Sequence, residues 1–397
     1  MDKTLFYDVA IIGAGPVGCY AAKRLSEQQI SVALIEQHKC IGHPINCAGL
    51  VSPRVFETFD LPKDQLIQNT ITTARIHSPD NTILTIGGDK PHAYRIDRSK
   101  FDAYLADEAK KQGTNIFLGE KALSIQRDPT VVNIETSKEH NIQTDILIGS
   151  DGPYSRVRDV FGLPEPKEYL QGIGAQLNDT NLDGSTVEIF VGNKIAPGFF
   201  AWIIPTNDKG TSAHIGLCLP KNIQASPKKY LQSLLENPKT KDMLAQSNIE
   251  YYTGGIIPLG ALKQTVDDRV LLVGDAAAQV KPTSGGGIYP GLLCADHAVN
   301  SISKALEKQE YTLSELQTYH NDWRQDIGKE LSMGMYFRKL YTRLSDEQFD
   351  KYIKKFQQDS IVDIITEHGD IDYPSRLVKP LLKKTPSLLR ILTQLVV

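Results

Sequence analysis

Gly13, Gly15 and Gly18 form a G-x-G-x-x-G turn directly after the apolar run Val9 to Ile12. A continuous apolar run of this kind suits a parallel strand buried on both faces. The first glycine permits a tight turn, the second lets the backbone approach a pyrophosphate, and the third lets a following helix pack closely on the strand. Free N–H groups at that helix start, including Val17, would face the phosphates. The next apolar run, Val32 to Ile35, ends at Glu36, where a carboxylate can accept both hydroxyls of an unphosphorylated adenosine ribose. The chemistry indicated is the binding of a dinucleotide, with NAD and FAD both open at this point.

Two distant segments separate them. The run Ile146 to Ile148 leads into Ser150, Asp151 and Gly152, and the run Val270 to Val273 leads into Gly274 and Asp275. A loop with Pro282, Gly285, Gly286 and Gly287 follows, and then a long helix beginning at Ile288. An aspartate at a strand end can bond a ribityl hydroxyl. A glycine-rich helix start can aim N–H groups at the flavin N1–C2=O edge, which becomes anionic on reduction. NAD has no matching group.

Taken in order, these three segments resemble the p-hydroxybenzoate hydroxylase superfamily of FAD enzymes. The resemblance implies that Arg98, in "RIDRSKFDAYLADEA", lies against the FAD and that Ala122 makes a backbone contact to its adenine. It also implies the fold class: α/β with α+β character overall, a Rossmann-like FAD domain, an antiparallel-sheet substrate domain and a C-terminal helical region.

That superfamily holds hydroxylases, halogenases and alkene reductases, so fold does not fix the reaction. "IGHPINCAGLVS" is similar to the G-x-P-x-x-C segment of archaeal geranylgeranyl reductases, which implies that Cys47, Ala48 and Gly49 neighbour the flavin. A lone cysteine is also, commonly, a small buried hydrophobe. "APGFFAWIIP" resembles the reductase pattern P-x-x-Y-x-W-x-F-P, keeping Pro197, Trp202 and Pro205 and replacing its tyrosine by Phe200 and its phenylalanine by Ile204. It is also similar to the W-x-W-x-I-P signature of flavin halogenases. "YTGGIIPLG", with Gly254 and Gly255, looks like the reductase Y-x-G-G-x-x-P.

The reductase resemblance implies a pocket for a C20 isoprenoid chain lined by Pro197, Phe200, Trp202, Pro205, Gly254 and Gly255. Its reaction is hydride transfer from reduced flavin N5 to an isolated C=C bond, with a proton added to the other carbon. Cys47, Tyr289, a water or the flavin itself could supply that proton. No second nucleotide motif is present, so a transient ferredoxin or NAD(P)H is the expected donor. The alternatives are a flavin monooxygenase or halogenase acting on a small aromatic, and a non-catalytic FAD-binding protein.

The elements that must position these residues follow from periodicity. An FAD domain is expected from 1–72, 94–165 and 258–315, an antiparallel sheet from 73–93 and 166–257, and a helical region over 316–397. The 397 residues carry a net charge of −3, and no basic run resembles a DNA-binding patch, which speaks against nucleic acid as a partner. Five scattered cysteines without a C-x-x-C pair suit a reducing compartment better than a disulfide framework or a metal site. No apolar run reaches the ~20 residues of a membrane span, and no cleavable signal pattern stands at the N-terminus. A cytoplasmic protein is expected. The leucine-rich, basic C-terminus, with Arg376, Lys379, Lys383, Lys384 and Arg390, suits peripheral contact with the inner face of the cell membrane.

Overall fold

Val9 and Ile11 point to one side of strand Leu5–Ile12, and Ala10 and Ile12 to the other; all four are buried. Both faces must therefore be covered. In the computed structural model of the chain, which describes residues 4–223 and 226–384, this strand is central in a sheet ordered Val270–Leu272, Asn141–Gly149, Leu5–Ile12, Val32–Glu36, Asn115–Leu118. These neighbours are all parallel. Helices Pro16–Ser26, Arg98–Lys111 and Ile288–Lys308 cover the Val9 and Ile11 face. The hairpin Ala122–Arg127/Val132–Thr136 covers the other.

The chain runs from Leu5–Ile12 to its neighbour Val32–Glu36 on one side and returns later on the other side as Asn141–Gly149. This reversal opens a crevice beyond the carboxyl ends of the strands, the usual ligand position in such sheets. The glycine turn and the Ser150–Gly152 segment meet there. Gly13 has φ +102°, and a Cβ on it would lie 2.4 Å from the Ser150 carbonyl oxygen. Ser150 in turn donates through its N–H to Ile12 O at 2.9 Å and through Oγ to Gly13 O at 2.8 Å.

A second, seven-stranded sheet is ordered Asn248–Leu259, Glu168–Asn178, Ser212–Pro220, Phe200–Pro205, Thr186–Val191, Thr73–His77, Ile83–Gly87. All of its pairings are antiparallel except that between Thr186–Val191 and Thr73–His77. Alternation along Phe200–Pro205 divides its side chains. Ala201 and Ile203 enter a core with Leu231 and Leu234 of helix Pro227–Leu235. Phe200, Trp202 and Ile204 face a cavity on the opposite side. A small three-stranded sheet, Leu50–Val51, Ala93–Ile96 and Ile67–Ile71, lies between the two in the chain's path.

The helix read from "LSELQTYHNDWRQDIGKELSMGMYFRKLY" runs as Leu313–Trp323, one π-helical turn at Arg324–Gly328, and Lys329–Tyr341. It is fastened to both large sheets. Tyr319 is buried and donates to Leu272 O at 2.7 Å, and Arg338 donates to Glu168 Oε2 at 2.7 Å. Three further helices follow, Asp346–Phe356, Asp359–His368 and Ser375–Lys384. The rest of the expected membrane-contacting C-terminus, including Arg390, lies outside the described residues.

Candidate functional site

The two large sheets enclose a cavity of about 850 Å³, and the glycine turn, the Asp151 and Asp275 segments, the triple-glycine loop, the cysteine loop and the strands of Phe200 and Gly254 all contribute to its wall. At one end, Glu36 is buried at the tip of its strand. Its Oε2 accepts the Ala14 N–H at 2.8 Å, and its Oε1 accepts the His38 N–H at 2.8 Å. These bonds fix the carboxylate toward the groove and leave lone pairs for ribose hydroxyls. A Cβ on Gly15 would meet nothing within 4 Å, so the backbone there is bare to the groove. A Cβ on Gly18 would lie 2.0 Å from Gly13 O, which locks helix to turn.

Helices Pro16–Ser26 and Ile288–Lys308 both begin at this cavity, and they touch where a Cβ on Gly291 would lie 2.5 Å from Val17 Cγ2. Two helix starts thus bring unpaired N–H groups to one groove. The loop before the second helix is closed by Lys281 N–H to Gly286 O, 3.1 Å, and Gly285 N–H to Lys281 O, 2.8 Å. A Cβ on Gly287 would lie 2.9 Å from Asp275 Oδ1, so the glycine lets that carboxylate sit beside the helix start.

The carboxylates fit a polar, neutral chain such as the ribityl group. Asp151 Oδ1 is buried without a hydrogen-bond partner, while its Oδ2 accepts the Val157 N–H at 3.1 Å. Burial raises the Asp275 carboxyl to about 6, against the opposing pull of Arg98. An orphaned oxygen and a hard-to-ionise carboxyl on one wall both gain from hydroxyl partners. Arg98 grips Asp102 with two bonds, Nε to Oδ1 at 3.0 Å and Nη2 to Oδ2 at 2.8 Å. Although burial opposes its charge, Asp102 and then Cys47 raise the Arg98 pKa.

Cys47 is half-buried in the cavity wall, and its Sγ accepts the Gly49 N–H at 3.3 Å. Gly49 takes φ +69°, and a Cβ there would strike Ile96 O at 2.3 Å. The cysteine loop shares the cavity wall with Phe200, Trp202, Val187, Ile189 and Ile257, and its Ala48 belongs to one apolar cluster with Val187, Ile189 and Trp202, a wall continuous with the polar groove.

Comparison with known proteins decides the family. The FAD binding domain model matches residues 6–331. The digeranylgeranylglycerophospholipid reductase of Methanocaldococcus jannaschii is 31% identical over 97% of each chain. The chain belongs to the geranylgeranyl reductase family of FAD proteins. The fold is shared with a geranylgeranyl bacteriochlorophyll reductase-like protein from Thermoplasma acidophilum, at TM-score 0.88 and 21% identity, covering 99% of this chain and 100% of that one. The p-nitrophenol 4-monooxygenase of Pseudomonas putida follows at TM-score 0.72 and 17% identity, covering 91% and 97%. FAD is the cofactor of this geranylgeranyl reductase family member.

Most residues expected at the site line the one cavity, among them Ala48, Ala122, Gly254, Gly255 and Ile288. Six do not reach its wall. Gly18 and Gly274 lie behind it as packing positions against Gly13 and Val17, and Pro282 is packed against Gly334. Tyr289 is turned away, its hydroxyl 3.1 Å from the Tyr373 hydroxyl. Pro205 shares the buried side of its strand with Ala201 and Ile203, and Pro197 precedes the turn at Gly198. Conversely, His214, Thr253, Cys218 and Lys281 line the cavity and were not anticipated. Arg95, buried beneath Gly49 with Nε and Nη1 lacking partners, was also missed.

Proposed function

We propose that this geranylgeranyl reductase family member saturates isolated C=C bonds of geranylgeranyl chains carried by archaeal-type ether glycerolipids. The observation that carries the reading is the continuity of the cavity, in which the FAD-binding groove opens onto the apolar wall of Phe200, Trp202 and Ile189 beside Cys47. An alkyl chain offers no charge to recognise, so its binding must come from burial, at ~0.8 kcal/mol per CH₂. FAD, once reduced, supplies the hydride that an unactivated alkene needs.

The chain's own residues do the rest. Glu36 and the two helix starts would hold the nucleotide, and Asp151 and Asp275 would accept hydrogen bonds from its sugar-alcohol hydroxyls. The apolar wall excludes water and fixes the alkene by shape. Of the two side chains offered as proton sources, Cys47 lines the cavity and Tyr289 does not, so Cys47 Sγ is the proton-holding atom in this reading.

The reducing equivalents come from a transient ferredoxin or NAD(P)H. We place the protein in the cytoplasm, on the inner face of the membrane. Among the described residues no helix is long and apolar enough to cross one. Helix Ser375–Lys384 has no buried side chain and ends in Lys383 and Lys384, which suits peripheral contact. Dithionite-reduced holoenzyme, kept anaerobic and given geranylgeranyl diether lipid, should reoxidise while the lipid gains mass in steps of two hydrogens. Flavin that stays reduced until air enters, and then consumes oxygen with a small aromatic, would replace this reading with a monooxygenase or halogenase.

A further inference from the structure

The sheet wall of the cavity contains a row of four cross-strand neighbours. Trp202 pairs with Gly216, Gly216 with Gly174, and Gly174 with Thr253. The two glycines leave a trough across the middle strands. A Cβ on Gly216 would lie 2.6 Å from Trp202 Cζ2, and one on Gly174 would lie 2.6 Å from His214 Cε1. The indole and the imidazole lie side by side in this trough, their planes within 10° of parallel. They are joined edge to edge: Trp202 Nε1 donates to His214 Nδ1 at 3.2 Å. On the far side, His214 Nε2 is 3.0 Å from Thr253 Oγ1.

The direction of this chain is forced. An indole N–H can only donate, so His214 Nδ1 must be the acceptor. A neutral imidazole with an accepting Nδ1 carries its hydrogen on Nε2. Thr253 Oγ1 therefore accepts from His214, and its own hydrogen must go elsewhere. No other bond of the Thr253 hydroxyl exists among the described residues. The residue is 8% exposed and lines the cavity, so its uncommitted donor is desolvated and adjoins the ligand space. An unmade hydrogen bond in such surroundings is costly.

We propose that Trp202, His214 and Thr253 form a one-way hydrogen-bond chain that presents the Thr253 hydroxyl to a single oxygen acceptor at the aromatic wall of the cavity. The acceptor is either an ether oxygen of the lipid or a water held beside the chain. His214 is the positioning residue, and Thr253 makes the contact. The inference rests on the reading of this cavity as the isoprenoid site.

The test uses holoenzyme with two probes, a geranylgeranyl glycerol ether and an all-carbon C20 tetraene without oxygen, and reads KM and kcat from product mass. Thr253→Val should raise KM for the ether by about fivefold, the worth of one neutral hydrogen bond, with kcat little changed. Thr253→Ser should restore it, and His214→Phe should reproduce the loss. An effect confined to the ether identifies the lipid oxygen; an equal effect on both probes identifies the held water. No effect on either overturns the proposal.

The chain's direction is read independently of turnover by ¹⁵N NMR of histidine-labelled enzyme, with His214→Phe assigning the signal. A hydrogen on Nε2 is expected, and one on Nδ1 overturns the proposal. If wild-type enzyme reduces neither probe, the reductase reading itself has failed, and the NMR result alone decides for or against the chain.

Discussion

Lys281 Nζ lies 2.6 Å from Asp372 Oδ1, and the Asp372 side chain is fully buried. The other carboxylate oxygen, Oδ2, accepts from Ser52 Oγ. One carboxylate from the C-terminal region thus ties the glycine-rich loop at Lys281 to the cysteine loop at Ser52. Between them Ile371 adds to the cavity wall. Arg54 Nε also stands 3.6 Å from Oδ2, so loss of Lys281 leaves Asp372 partly compensated and should cost less than the about 3–5 kcal/mol of a fully stranded buried charge. Lys281→Met should therefore lower stability in urea melts, and Lys281→Met with Asp372→Leu should recover part of the loss, Arg54 keeping Asp370 as its partner. A double variant no more stable than the single one would refute the pairing argument.

Gly15 and Gly18 belong to one motif but should fail differently. Space surrounds a Cβ at Gly15, whereas one at Gly18 overlaps Gly13 O. Gly15→Val is expected to keep the melting temperature of the flavin-free protein and to lose bound FAD, read from the flavin absorbance of purified protein. Gly18→Ala is expected to lower that melting temperature. Equal melting of both variants would show that the motif does not divide in this way.

Asp275 gives FAD binding a pH dependence. Burial raises its carboxyl to about 6 in the flavin-free protein. If the ionised form accepts a ribityl hydroxyl, bound FAD lowers that value, and affinity should rise as pH rises through about 6. Fluorescence titrations of the apoprotein between pH 5 and 8 would show the slope, and Asp275→Asn should flatten it.

His214 should weaken the fold in acid. Burial first, and Arg95 second, lower its pKa to about 3 from the usual 6.5. Between those values the unfolded chain binds a proton that the folded chain refuses, so stability is present above pH 6.5 and falls as pH drops toward 3. His320, lowered to about 4 by burial and Arg324, acts in the same direction. His214→Gln should make the acid limb of a stability-pH curve shallower, measured by urea unfolding at pH 4 to 7. An unchanged limb would show that His214 is not refusing that proton.

The meeting of Gly13, Gly15, Val17 and Glu36 at one end of the cavity follows from local information: turn, helix start and strand-end acid follow one another in sequence. The two-faced character of Phe200–Pro205 follows from period-two alternation of its own residues. The residues that were missed depend on partners fixed by distant pairing. His214 reads as one polar residue in "SAHIGLCLP", and only the register of three strands brings Trp202 and Thr253 to its two nitrogens. Lys281 finds Asp372 through the return of the C-terminal chain to the glycine-rich loop, which no motif encodes. Tyr289 was misplaced by helix phase, since it follows the cavity-lining Ile288 and is rotated by about 100° around the axis. Pro205 was misplaced by strand phase, having the parity of Ala201 and Ile203.

The strand Phe200–Pro205 carries two vocabularies on alternate letters, one addressed to the ligand and one to the protein interior. Side chains can be exchanged on either set while the other stays legible. A single inserted residue would interchange them, sending the indole of Trp202 into the small space held by Ala201 and turning Ile203 toward the trough. Length, more than composition, is what this short strand cannot vary. Drift in the family should therefore proceed here by replacement, as at Phe200 and Ile204, with insertions confined to the loops beyond its ends.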